Sequence, residues 1–479
     1  MATQLAAQMD SMTLEDTGKG LPSTYSPFDS IPPELLSHMF SFCTDTNYYR
    51  EKSTCARLAR VSRQFFSIAR DHLYRSLTVY IRGPPPKKEE EAKTFEEKIH
   101  IRDFEIIEII VTKPGIADLV KELHLYFENL PPSFLDSVVV AMLAQHLKNL
   151  KKLWFLDDGN EFWKAPAETA EYDPSDPVWK IVGSLVNSKS KDKLEVLVVP
   201  QLSLRSGDSM NLFAVFEKLK VWKGMIGNFE EGYGPEVSSN LRRAYITRFF
   251  AHDHLVFVLS PSRHSLRYLH LVLRLEGGMV QIGYLEGLEE LVLTTKLMEG
   301  GFGTDFVFRG SNDSLKGTPA DLLNIAFNIV ADARKLSNLH SLTICTGLGT
   351  EFEHYADVFF QYLPGSLVNL ALGPCIFENL PLPVLLQHRH LYPHLSKIYL
   401  SPPYLSMKPK SSPRSPPTSG FGIDDLESGL DGIKIEWINN VNEWKIWLEK
   451  GFYPEGTEQE LEGRKNKFTE LSISTCSIS

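Results

Sequence analysis

One spacing of apolar residues recurs along the chain: apolar, two residues, apolar, one residue, apolar. It occurs at Val120-Leu123-Leu125, Leu150-Leu153-Phe155, Leu194-Leu197-Val199 and Phe216-Leu219-Val221. It returns at Leu266-Leu269-Leu271, Leu288-Leu291-Leu293, Leu339-Leu342-Ile344, Leu367-Leu370-Leu372 and Leu395-Ile398-Leu400. Tyr74-Leu77-Val79 reads as a first copy and Phe468-Leu471-Ile473 as a last one. The final two apolar positions stand two apart, as a strand with one buried face requires. Between copies, residues 134–147, 178–186, 319–335 and 355–363 carry helical patterns. Strand alternating with helix predicts stacked units that bury their leucines against their neighbours. The expectation is a curved parallel sheet with outer helices, its core lined by Leu123, Leu153, Leu197, Leu269, Leu291, Leu342 and Leu370. Alternation then sends Tyr126, Trp154, Trp222, Tyr268, His270 and Tyr399 to the opposite face.

The N-terminal part follows a different pattern. Residues 1–27 lack apolar periodicity and read as a disordered tail. Pro33 suits a first helical turn, and Leu35, Leu36, Met39, Phe40 and Cys43 then share one helical face. After a polar break at 44–49, a second helix is expected from about residue 53 to 71. It carries two stripes, Leu58-Val61-Phe65-Ile68 and Phe66-Ala69-Leu73. One stripe closes a helical hairpin, and the other is left for a partner or for the domain that follows. The proline and charge run at 83–91 reads as a surface loop leading to a helix near 94–111. Residues 402–422, rich in Pro and Ser, read as a disordered loop within the array, with Ser412-Pro413 and Ser415-Pro416 beside basic residues.

Composition narrows the function. The formal charge of −10 speaks against a dedicated nucleic-acid binder. Five scattered cysteines form no CxxC pair and fit a reducing compartment. Polar residues 1–25 and the lack of a bilayer-length apolar run imply neither a secretory signal nor a membrane span. The expected address is therefore cytoplasm or nucleus. Gly300-Gly301-Phe302-Gly303 lacks a phosphate-loop ending, and HExxH, GxSxG and EF-hand signatures are absent. His388, His390 and His394, like His252 and His254, have poor spacing for a metal on a helix. The sequence thus implies no enzyme, no cofactor and no metal.

The order Ile31-Pro32-Pro33-Glu34-Leu35-Leu36, then Phe40, then Val61-Ser62-Arg63-Gln64-Phe65 resembles an F-box over residues 28–80. Residues 81–479 resemble divergent leucine-rich repeats, with copies about 22 to 50 residues apart where the known classes expect about 20–29. The Asn usual after the strand is replaced by Arg274, Lys296 and Gly347, whereas Cys375 fits that place. With the run from Leu73 to Val79, the chain looks like the large F-box families of filamentous fungi. The resemblance implies an α/β architecture, with an all-α hairpin followed by a leucine-rich-repeat-like solenoid. It also implies a substrate receptor of an SCF-type cullin ubiquitin ligase, which would bind a Skp-type adaptor and an unknown target protein. Ile31, Pro32, Leu35, Leu36, Phe40, Leu58, Val61 and Phe65 are the adaptor-binding set that it implies. The aromatic face named above is the candidate target surface. Three alternatives stay open: an F-box-like interaction scaffold without a ligase role, an enzyme whose site these motifs miss, and a plain helical cap on the repeats.

Overall fold

In the computed structural model, the structure describes residues 31–44, 55–61, 63–82, 100–101, 104–128, 145–157, 183–204, 213, 215–226, 239–249, 252–273, 280–295, 319–345, 351–373, 382–400, 432–438, 444 and 447–448. The expected tail at 1–27, the charged loop at 83–91, the loop at 402–422 and the motif copy at Phe468-Leu471-Ile473 lie outside these residues. The chain divides into two compact units, Met1–Val196 with Pro454–Ser479, and Leu197–Tyr453.

The first unit begins with helix α1, Pro33–Thr44, which touches helix α2, Arg63–Arg75. The single helix expected over 53–71 is broken. Residues 55–58 are helical, and the turn after them tightens through Arg60 N–H to Arg57 C=O at 3.1 Å and Val61 N–H to Leu58 C=O at 2.9 Å. The break lets Cys55, Ala59, Phe65 and Ala69 share one core with Leu36. A straight helix would hold residues 55 and 65 about 15 Å apart along its axis. Helix α2 runs directly into β1, Ser76–Arg82, with no intervening loop. Then come β2 (His100–Ile101), α3 (Phe104–Thr112), α4 (Pro114–Ala117), β3 (Glu122–Glu128) and β4 (Lys152–Asp157). β1, β3 and β4 are parallel neighbours with Leu77↔Leu123↔Leu153 in register, while β2 pairs antiparallel on the free side of β1.

The second unit follows with β5 (Val196–Leu204), β6 (Val221–Ile226), β7 (Arg243–Phe249), α5 (His252–Leu259), β8 (Tyr268–Leu273) and β9 (Glu290–Thr295). It continues with α6 (Pro319–Ala333), β10 (Ser341–Cys345), α7 (Glu351–Gln361), β11 (Asn369–Leu372), α8 (Leu382–Gln387), β12 (Lys397–Leu400) and β13 (Lys434–Trp437). Its strands lie side by side in chain order, and each pairing from β6 to β13 is parallel. One column of leucines, Leu269↔Leu291↔Leu342↔Leu370, crosses β8 to β11 and is fully buried.

A repeated hydrogen bond sets this register. In most repeats the carbonyl just before the strand accepts two N–H groups from the next repeat. Arg242 C=O takes Arg267 and Tyr268 at 2.8 and 3.1 Å, and Arg267 C=O takes Glu289 and Glu290, both at 2.9 Å. Glu289, His340 and Val368 carbonyls continue the series. The residue before the first motif leucine ties the turns together. Asn149 Nδ2 donates to Asp118 C=O, Ser265 Oγ to Leu241 C=O, Asn338 Nδ2 to Glu286 C=O and Ser366 Oγ to Leu339 C=O. Gly287 occupies the same position, where the Cβ of any other residue would stand 2.4 Å from His264 O.

The buried motif is one step longer than the repeated spacing suggests. Leu285-Leu288-Leu291-Leu293, Leu336-Leu339-Leu342-Ile344 and Tyr392-Leu395-Ile398-Leu400 are buried throughout, because the turn ahead of each strand also points an apolar residue inward. The longer motif contains the apolar-two-apolar step twice, which displaces the copy expected at Phe216-Leu219-Val221. There the position equivalent to Leu269 is Trp222, aligned through Ala244. β7 is a further repeat, Leu241-Ala244-Ile246, which the small Ala244 hides from a leucine pattern.

Helices α5 and α6 bury stripes spaced three and four apart, Leu255-Val258-Leu259 and Ala326-Ile329-Val330-Ala333. α5 touches β6 and β7, and α6 touches β8 and α7, the last through Phe327 against Phe359 at 5.3 Å. Among the described residues no helix is long and apolar enough to cross a membrane.

Gly287→Ala should destabilise the second unit by about 1–3 kcal/mol, since two backbones must separate. Gly115→Ala, with nothing within 4 Å of its new Cβ, should stabilise by up to about 1 kcal/mol. Urea unfolding of both variants checks the pair.

Candidate protein-interaction site

The helical module leaves apolar side chains uncovered. Leu36 is 0% exposed and Phe65 6%, whereas Leu35, Met39 and Val61 are 55, 52 and 53% exposed. Of the five exposed large apolar side chains among the described residues, three belong to this module. Leu35 and Met39 are four apart and share one side of α1. Val61 stands at the end of the tight turn before α2, beside exposed Arg60, and Glu34 adjoins Leu35.

The eight residues named for adaptor binding divide into groups. Leu36 and Phe65 form the hairpin core, and Ile31 and Leu58 are partly buried against it. Pro32, Leu35 and Val61 are exposed, and the side chain of Phe40 lies outside the described residues. Gln64 Nε2 donates to Ile31 C=O at 2.9 Å and Leu36 N–H to Pro32 C=O at 3.1 Å, so the segment ahead of α1 is fixed to α2. Met39 completes the exposed group. It belonged to the apolar face of α1 from the start, but periodicity could not tell which side of that face the hairpin covers.

The aromatic residues of the strands sit differently. Trp154 is buried and stacks on His124 at 5.6 Å. Trp222 is buried in the leucine row, edge-on to Phe213 at 5.5 Å, rather than in the row of His270. Tyr268 is buried, its hydroxyl donating to Leu448 C=O at 3.1 Å, and half-buried Tyr399 leans on Trp447 at 5.3 Å. Trp447 and Leu448 therefore lie against this face of β12 and β8. The side chain of Tyr126 lies outside the described residues. A buried ring cannot touch a partner until whatever covers it has moved.

His270 has the most constrained surroundings on that face. It stacks on Tyr245 at 3.8 Å, Lys223 Nζ stands 3.8 Å from the centre of the Tyr245 ring, and His270 Nε2 lies 2.8 Å from Thr294 Oγ1. Burial, and then the charge of Lys223, hold the imidazole pKa well below its ordinary value, so the ring is neutral. Among the histidines suspected of metal binding, His388 Nε2 faces Asp357 Oδ1 at 2.6 Å and His252 Nδ1 accepts from Gln281 N–H at 3.2 Å. Among the described residues no three metal-binding side chains converge.

The depressed pKa of His270 has a defined sign. The unfolded chain binds a proton at this position before the folded one does, so stability is full above pH of about 6.5 and falls as pH drops below it. Urea unfolding across this range should show a shallower acid loss in His270→Gln than in the parent, and an identical slope would remove His270 as the cause.

Residues 28–80 match the family model of the F-box-like domain, a stretch that takes in α1, the turn, α2 and the start of β1. No curated protein matches the chain. The F-box-like domain supports an F-box protein with a protein-interaction role, and such proteins are generally non-catalytic adaptors.

Proposed function

We propose that this chain is the substrate-recognition subunit of an SCF-type cullin ubiquitin ligase. Its helical module docks a Skp-type adaptor, and its strand-and-helix repeats, a leucine-rich-repeat-like solenoid of the kind in fungal F-box families, hold a target protein. The carrying observation is the uncovered group Leu35, Met39 and Val61 with Pro32, in a domain that matches the F-box-like model. Leu36 and Phe65 act behind it by holding the hairpin closed. No bond is made or broken by this chain in that role. It raises the effective concentration of target lysines near the ubiquitin-loaded enzyme, and it works in the cytoplasm or nucleus.

Burying each large apolar side chain contributes about 1.5–3 kcal/mol. Leu35→Asp with Val61→Asp should therefore weaken adaptor binding at least about 100-fold, with thermal unfolding unchanged because both side chains are already exposed. Leu36→Ala should instead destabilise the module itself, by about 2–5 kcal/mol. Adaptor capture at parental level by the Asp double variant would refute the docking face. Affinity purification with mass spectrometry tests the wider reading: adaptor and cullin together support a ligase receptor, and adaptor without cullin would leave a scaffold.

A further inference from the structure

The strand-leading edge of β6–β8 carries an unusual column of charge. The carbonyl ladder places Lys220, Arg242 and Arg267 in successive positions of one row, because Arg242 N–H donates to Lys220 C=O at 2.7 Å and Arg267 N–H to Arg242 C=O at 2.8 Å. Neighbouring strands are about 4.8 Å apart, and like charges directly opposite one another destabilise a sheet. All three side chains are exposed. An open groove of about 430 Å³ lies against the column, lined by Arg242, His264, Ser265 and Arg267.

The groups around the groove are partly neutralised. Arg267 lies 3.2 Å from Glu289 and also donates to Gly287 C=O at 3.0 Å, which fixes its guanidinium. His264 accepts from Arg263 Nε at 2.9 Å through Nε2 and turns Nδ1 toward Glu286 at 3.4 Å. Arg242 faces no acid among the described residues, so its charge is open to a ligand. The Arg242, Arg243, Arg267 and Tyr268 N–H groups beside the groove are engaged in the ladder.

We propose that this edge is a docking site for an acidic, carboxylate-rich segment of a partner protein. Charge complementarity selects that occupant: Lys220, Arg242 and Arg267 place three cations in one row of a chain that as a whole carries −10. Guanidinium groups bond carboxylates in a two-point geometry, and Arg242 and Arg267 line one groove. The site deepens the target-binding half of the proposed function and rests on it only for the statement that the bound segment belongs to a ligase target.

Fluorescence anisotropy of a labelled hexaglutamate peptide with the full-length protein tests the site. Binding should weaken with salt and fall by about fivefold for each arginine changed in Arg242→Gln and Arg267→Gln. Arg242→Gln should leave the melting temperature unchanged or raised, because one member of a like-charged column is removed. Absent binding, or binding that ignores both substitutions, overturns the proposal. A lowered melting temperature in Arg242→Gln would assign the column to folding and overturn it as well. Preference for a single-stranded oligonucleotide over the peptide, lost on the same substitutions, would replace the partner class. Leu35→Asp with Val61→Asp should keep peptide binding. If the parent binds the peptide but captures no adaptor, the ligase reading falls and this site stands.

Discussion

A carbonyl that accepts two N–H groups from the following repeat is the interaction on which the described strands depend. It occurs before β3 and before β7 to β10, at Lys121, Arg242, Arg267, Glu289 and His340. Each such bond contributes modestly by itself, about 1 kcal/mol net. Its effect on geometry is larger. It fixes the residue at which each strand begins, and so which side chain falls in the leucine column. A slip of one residue would turn every leucine to the other face.

The column explains why chain segments of very different length can intervene between strands. β8 and β9 lie close in sequence, whereas α6 and a long preceding segment separate β9 from β10, yet Leu269, Leu291 and Leu342 remain in register. Loop length costs little in closure entropy, and the turn before each strand restores the register whatever precedes it. Asn149, Ser265, Gly287, Asn338 and Ser366 do this with different chemistry at one position: four side-chain donors to the earlier turn, and one glycine that lets two backbones touch.

Burial on both faces closes β8 to a partner. β8 is buried at all six residues, with leucines on one side and Tyr268, His270 and Val272 on the other. Trp447 and Leu448 contact the second side through Tyr399 and Tyr268. Among the described residues, exposed apolar surface includes the helical module, where Leu35, Met39 and Val61 are uncovered while Leu36 and Phe65 are not, and Val358 and Tyr362 at the end of α7.

The sequence by itself determined the parts that follow from local spacing. The recurrent apolar step marks β1, β3, β4, β5 and β8 to β12, and Pro33 marks the start of α1. The order Ile31 to Leu36 with Val61 to Phe65 marks the same 28–80 stretch that matches the F-box-like model. Tertiary structure decided what spacing leaves degenerate. The longer buried motif contains the same step twice, so only pairing to Ala244 places Trp222 among the leucines. An apolar face wider than its partner does not say which half is covered, so the division of Leu35 from Leu36 waited for α2 to pack. The column of Lys220, Arg242 and Arg267 is invisible along the chain, where its members are more than twenty residues apart, because parallel pairing alone makes them neighbours.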